Sequence, residues 1–145
     1  MFYNLAYGAL KDGKEEGVKP EWQVYIDSTD VSPYRHVLEH GKSDIFIQNP
    51  ANTEWQDYLV KRTREVYQNF NFDGFHVDQL GSAPGYHVME NGHKVEKASR
   101  LSTKDGKEVL LWDGYSPLLT KLHNDQKDKE LVMNQVSNWG HTVVA

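Results

Sequence analysis

Asp78 and His76 stand two residues apart in the segment Asn71-Phe72-Asp73-Gly74-Phe75-His76-Val77-Asp78-Gln79-Leu80-Gly81. In a strand, side chains alternate, so Gly74, His76 and Asp78 share one face while Phe75 and Val77 share the other. The apolar pair suits a helix layer. The polar face ends in a carboxylate at the C-terminal end of the strand, where it can attack an electrophilic carbon or accept a proton. It can equally cap a loop or pair with a surface cation. Asp73 precedes the strand at its other end, where polar residues serve stability.

A second pattern is His36-Val37-Leu38-Glu39-His40, which spells the H-x-x-E-H sequence of inverted zincin peptidases. On a short helix between Pro33 and Gly41, His36 and His40 would share one face and could hold zinc. Such a motif arises readily by chance and counts only in context. The plainer reading is a solvated polar helix, and a zinc metallopeptidase stays a remote alternative. The charge-rich run Lys121 to Glu130 reads as a solvated helix end.

Composition narrows the chemistry further. The 145 residues include no cysteine, which excludes disulfides, thiolate nucleophiles and Cys-ligated metal. With 16 Lys+Arg against 21 Asp+Glu the formal charge is −5, which argues against nucleic-acid backbones as partners. The longest apolar run, Val109-Leu110-Leu111-Trp112, falls far short of the roughly 20 residues of a membrane span. A core is feasible, because 4 Trp, 8 Tyr and 5 Phe accompany the aliphatic residues. The opening Met-Phe-Tyr-Asn-Leu-Ala-Tyr lacks the features of a signal peptide and reads as the end of a buried strand. The expectation is therefore a piece of a longer protein.

These residues need elements to position them. Residues 1–9 read as a strand that Gly8 ends, 11–21 as a charged surface loop, and Trp22 to Ile26 as a short strand. Ser32-Pro33 would open the short helix that Gly41 stops. Asp44 to Gln48 is a strand closed by Asn49-Pro50. Thr53 and Gln56 form a capping box, and Trp55, Leu59, Val66 and Phe70 mark one face of a helix of about five turns. Phe72 to Leu80 follows as a strand, so residues 44–80 read as one parallel βαβ crossover. Residues 82–111 read as a loop insertion, with Asn91-Gly92 and Asp105-Gly106 as turns. Tyr115 to Lys127 is a second helix carrying Leu118, Leu119 and Leu122, and Leu131 to Val136 is a further strand.

This order is α/β with a parallel sheet. A doubly wound sheet would want a glycine-rich phosphate turn, and no G-x-G-x-x-G or Walker A pattern occurs. A partial (β/α)₈ TIM barrel fits better, since it wants polar residues at the C-terminal strand ends. A whole barrel takes about 250 residues, so the expectation is about half of one.

Phe72 to Gly81 resembles the nucleophile strand of glycoside hydrolase family 66, the dextranases and cycloisomaltooligosaccharide glucanotransferases. Gln48-Asn49-Pro50 with Asn52 and Trp55, and Met133-Asn134-Gln135-Val136, resemble further pieces of the same family in the same order. The resemblance implies that residues 1–145 are the middle of a catalytic barrel. It implies a retaining glycosidase or transglycosylase acting on α-1,6-glucan, with Asp78 as nucleophile, and neither metal nor organic cofactor. Its acid/base would be a Glu on a strand beyond Ala145, and the parent would be secreted or at the cell surface. Glu130 begins its strand at the wrong end to substitute, and Glu90, Glu96 and Glu108 lie in the inserted loop.

Candidate sugar-binding residues are His76, Gln79 and Asn134, with Gln48 and Asn49 at another strand end. Tyr7 and Trp139 are candidate aromatic platforms. The choice among hydrolysis, cyclisation and transfer stays open, and a non-catalytic carbohydrate-binding remnant is the alternative. Open sheet edges would invite self-association.

Overall fold

The computed structural model describes residues 1–10, 17–25, 33–37, 44–80, 87–88, 94–95 and 101–135. In chain order its strands and helices are β1 (Phe2–Asn4), β2 (Gly8–Leu10), β3 (Arg35–Val37), β4 (Asp44–Ile47), α1 (Thr53–Asn69) and β5 (Gly74–Leu80). They continue as β6 (His87–Val88), β7 (Lys94–Val95), β8 (Leu101–Ser102), β9 (Glu108–Val109), α2 (Leu111–Asp125) and β10 (Glu130–Gln135). The chain divides into two compact units. One comprises Met1–Ala6, Pro50–Ser82 and Leu111–Ala145, the other Tyr7–Asn49 and Ala83–Leu110.

The first unit is a three-stranded sheet in the order β1-β5-β10, with both pairings parallel. Phe2 lies opposite Phe75, Tyr3 opposite His76, and Leu131 opposite Phe75. Alternation then sorts the faces. Phe75 and Val77 are buried, and Phe2 stacks on Phe75 at 4.5 Å while meeting Tyr67 of α1 edge-on. Helix α1 buries Trp55, Leu59 and Val60, and α2 buries Leu111, Tyr115, Leu118, Leu119 and Leu122. This is the mixed α/β arrangement expected, and it fits a segment of a (β/α)₈ barrel. No described helix is long and apolar enough to cross a membrane.

The expected crossover between residues 44 and 80 does not form. β4 pairs antiparallel with β2 and β3 in the second unit, and the parallel partners of β5 are β1 and β10. Sequence adjacency suggested the wrong neighbour because the Tyr7–Asn49 segment of the second unit is inserted between β1 and α1. Helix α1 begins where expected, but Asn52 is its N-cap: the Asn52 side chain accepts from the Trp55 N–H at 3.0 Å. Gln56 does not reach back to close a capping box; its amide donates to the Pro50 carbonyl at 2.8 Å. Phe70 is exposed beyond the helix end rather than part of its buried stripe.

In the second unit the helix expected across 33–40 is instead extended at β3, which hydrogen-bonds to β4. The strand expected at Trp22 begins as a 3₁₀ turn over Pro20–Trp22, followed by isolated bridges at Gln23 and Tyr25. The inserted segment is not bare loop, since β6 pairs with β7 and β8 with β9. The Asp105-Gly106 turn is present, with Gly106 at φ +88°, a conformation that suits glycine. Asn91-Gly92 lies outside the described residues. Tyr7, Trp22, Val24, Tyr25, Tyr34 and Ile47 form this unit's core, together with Leu101 and Val109.

Candidate functional site

Strand β5 is central in its sheet, so each side chain on its faces has neighbours from both flanking strands. Asp78 sits near the C-terminal end of β5, on the face away from Phe75 and Val77, and is 6% exposed. Both of its carboxylate oxygens are engaged. The Asn134 side-chain amide donates to Oδ1 at 2.6 Å from β10, and the Tyr3 hydroxyl donates to Oδ2 from β1. Three strands thus converge on one carboxylate.

A register slip makes this possible. Met133 pairs with Val77, but Gln135 pairs with Leu80, so Asp78 and Gln79 together face the single residue Asn134. Such bulges re-aim side chains, and here the slip coincides with the carboxylate. At the lower end of the strand Gly74 lies opposite Glu130, and the Glu130 N–H donates to the Asp73 carbonyl at 2.9 Å. Glu130 is therefore four residues along the sheet from the level of Asp78, roughly 13 Å at the usual strand rise.

Tyr3 is the functional candidate that sequence reasoning missed. It is 62% exposed, and its ring meets His76 edge-on at 5.4 Å. Its hydroxyl is pushed above the ordinary phenol range, first by donating to Asp78, then by partial desolvation and the nearby negative charge. The Phe2-Tyr3-Asn4 alternation was readable. What was missing was the pairing of β1 with β5, without which nothing linked Tyr3 to a residue 75 positions away.

The structure thus brings together Asp78, His76 and Asn134 among the expected residues, and adds Tyr3. Gln79 follows Asp78 in β5, though its side chain is not among those described. Tyr7, Gln48 and Asn49 belong to the second unit. Tyr7 is buried, so its ring has no open face for a sugar, and its carbonyl accepts from the Gln48 N–H at 2.7 Å. Gln48 is fully buried; its amide nitrogen donates to the Phe46 carbonyl at 3.1 Å. The Asn49 N–H donates to the Trp22 carbonyl at 2.7 Å. Trp139 lies outside the described residues, as do Glu39 and His40. His36 lies in β3, an extended strand, so the helical face that would align it with His40 is not formed there. Among the described residues no three His, Asp or Glu side chains gather as metal ligands.

A cavity of about 440 Å³ opens between α2 and β10, bordered by Leu119, His123, Leu131 and Met133. Leu131 and Met133 pair with Phe75 and Val77, which places the cavity on the helix side of the sheet. It is not the site of the Asp78 carboxylate.

The chain matches the family model described as Glycosyl hydrolase family 66 over residues 1–145. Two cycloisomaltooligosaccharide glucanotransferases of Niallia circulans are 28% and 26% identical to it over 102 residues. Those matches cover 70% of this chain and 10% of each relative, so the chain spans about a tenth of their length. Among solved structures, it resembles a Paenibacillus cycloisomaltooligosaccharide glucanotransferase complexed with cycloisomaltoheptaose. The TM-score is 0.72 at 24% identity, covering 93% of this chain and 18% of that one. An α-galactosidase of Thermus thermophilus in complex with stachyose matches with a TM-score of 0.56 at 13% identity, covering 91% and 24%. At these identities the structural likeness concerns the fold.

Proposed function

The chain belongs to glycosyl hydrolase family 66, and from that premise we propose that Asp78 is the nucleophile of a retaining glycoside hydrolase or transglycosylase acting on α-1,6-glucan. The three-stranded parallel sheet is then part of its (β/α)₈ barrel. The observation that carries the reading is a carboxylate at the C-terminal end of a central parallel strand, with a donor from the described residues on each oxygen. Asp78 attacks the anomeric carbon and forms a glycosyl ester, while the bonding pair of the broken C–O bond stays on the leaving oxygen. That oxygen takes a proton from a second carboxyl group about 5–5.5 Å away. Glu130, at the other end of the sheet, cannot supply it. By the family resemblance that donor is a Glu on a strand later than the one carrying Asn134, and it supplies an acid contribution of typically about 10²–10⁴-fold.

The glucanotransferase relatives and the cycloisomaltoheptaose complexed with one similar structure support an α-glucan substrate. On this reading His76 and Asn134, which share the face of Asp78, bind its hydroxyls. The expected self-association belongs to the same proposal. Among the described residues β1 and β10 each pair on one side alone, so light scattering should give a mass above 16.7 kDa.

An α-glucosyl fluoride carrying a second fluorine at carbon 5 tests the nucleophile without help from a general acid, because fluoride is a good leaving group. Mass spectrometry should find one added fluoroglucosyl group on the peptide containing Asp78, and none in Asp78→Asn. Labelling at another residue would overturn the assignment. Dextran binding with no labelling at all would make the chain a carbohydrate-binding remnant.

A further inference from the structure

We propose that Tyr3 is a positioning residue for the Asp78 carboxylate: its hydroxyl on β1 and the Asn134 amide on β10 hold the two oxygens from opposite sides. The inference takes its catalytic meaning from Asp78 being the nucleophile, and goes beyond that reading by assigning a residue that acts on it.

The geometry is specific. A carboxylate turns readily about its last bond, and one donor fixes one oxygen only. Tyr3 takes Oδ2 and Asn134 takes Oδ1, so the carboxylate plane is set across the direction of the strands. The two donors come from strands that do not pair with each other, so only the register of both on β5 brings them together. The Tyr3 ring is itself oriented, edge-on against His76, which lies directly opposite it. A mere surface tyrosine, at 62% exposure, would have water as its partner. Here the exposed ring also stands beside the carboxylate.

Charge coupling between the two groups is reciprocal. The carboxylate holds the Tyr3 proton on, and the same hydrogen bond stabilises the ionised carboxylate. Among the described groups, the other ionisable side chain beside this pair is His76 from β5, while β10 presents the neutral Asn134 amide. Glu130 shares the face, but at its far end.

The test is carbon-13 NMR of the 145-residue chain with labelled Asp carboxylates and labelled Tyr ring carbons. In Tyr3→Phe the Asp78 midpoint should rise, because the ionised carboxylate loses a hydrogen bond. In Asp78→Asn the Tyr3 midpoint should fall toward that of an ordinary phenol. Tyr3→Phe keeps the ring, and an unchanged melting temperature will show that the fold is intact. If neither midpoint moves, Tyr3 does not position Asp78, whatever Asp78 does. These readouts need no turnover, so they are independent of the glucosyl fluoride labelling. Where that labelling succeeds, Tyr3→Phe should slow it by about tenfold or more without moving it to another residue. An unchanged rate would overturn the positioning role even if the midpoints shift.

Discussion

Gly74 on β5 and Glu130 on β10 approach so closely that a Cβ on Gly74 would lie 2.3 Å from the Glu130 carbonyl oxygen and 2.7 Å from its Cβ. The contact is with backbone, which cannot rotate away. It therefore sets how near the two strands can come at the lower end of the sheet. The same pairing, followed upward, brings Asn134 to Asp78.

Gly74→Ala should consequently destabilise the chain by about 3 kcal/mol, the upper end of what overpacking typically costs. The register of β10 should loosen with it. Urea unfolding measures the first effect. Weakening of the Asn134–Asp78 hydrogen bond, seen in the Asn134 side-chain amide NMR signals, measures the second.

Gly114 sets two effects against each other. Inside α2, alanine is the better helix former by about 1 kcal/mol. A Cβ there would stand 2.2 Å from the Ala51 nitrogen and 2.4 Å from the Pro50 carbonyl carbon, where the turn before α1 packs on α2. The clash is with backbone and wins. Gly114→Ala should lower the urea midpoint rather than raise it.

Trp55 ties the start of α1 to the end of the segment carrying β1. Its indole N–H donates to the Ala6 carbonyl at 3.0 Å, and both residues are buried. Trp55→Phe keeps much of the packing but leaves that carbonyl without its donor, at about 1–3 kcal/mol. Thermal unfolding should show the loss. Amide exchange in β1 should quicken as well, because Trp55 anchors that strand.

Arg64 of α1 meets Asp125 of α2 through both guanidinium and carboxylate, with Nε 3.3 Å from Oδ2 and a second, closer contact to Oδ1. The Arg64 hydrogen bond, aided by that of Gln126, holds Asp125 below the usual aspartate range against the opposing effect of burial. A carboxyl lowered in the folded state adds stability that is fully present above its unfolded pKa, near 4. That stability disappears as pH falls through the folded value. Arg64→Met should flatten this acid-side decline, and unfolding curves between pH 5 and pH 2 will reveal it. High salt should shrink the difference between the two proteins, since the Arg64 side chain is about half exposed.

Much of the local structure was legible from order and spacing alone. Period-3.6 apolar positions marked α1 and α2, and period-2 alternation placed His76 and Asp78 opposite Phe75 and Val77. These features depend on neighbours within a few residues, and the chain's own geometry enforces them. The segment around Asp78, with the Met133-Asn134 piece, also pointed to the family that the comparison then showed.

Strand partnership was a different matter. Asp44–Ile47 looked like the parallel neighbour of β5 because only a helix separates them, yet it pairs antiparallel with β2 and β3. His36 sat in a run that resembled a helix, and backbone pairing with Ile45 drew it into a strand. Backbone hydrogen bonds between strands carry no residue code, so a sequence specifies which faces are apolar far better than which strands meet. The tertiary structure decided that β1 lies beside β5, and that the register slips by one residue at Asp78 and Gln79. From those two facts comes the pair of donors on the carboxylate. Asp78 and Asn134 could be named from the sequence; Tyr3 became visible only when the sheet was assembled.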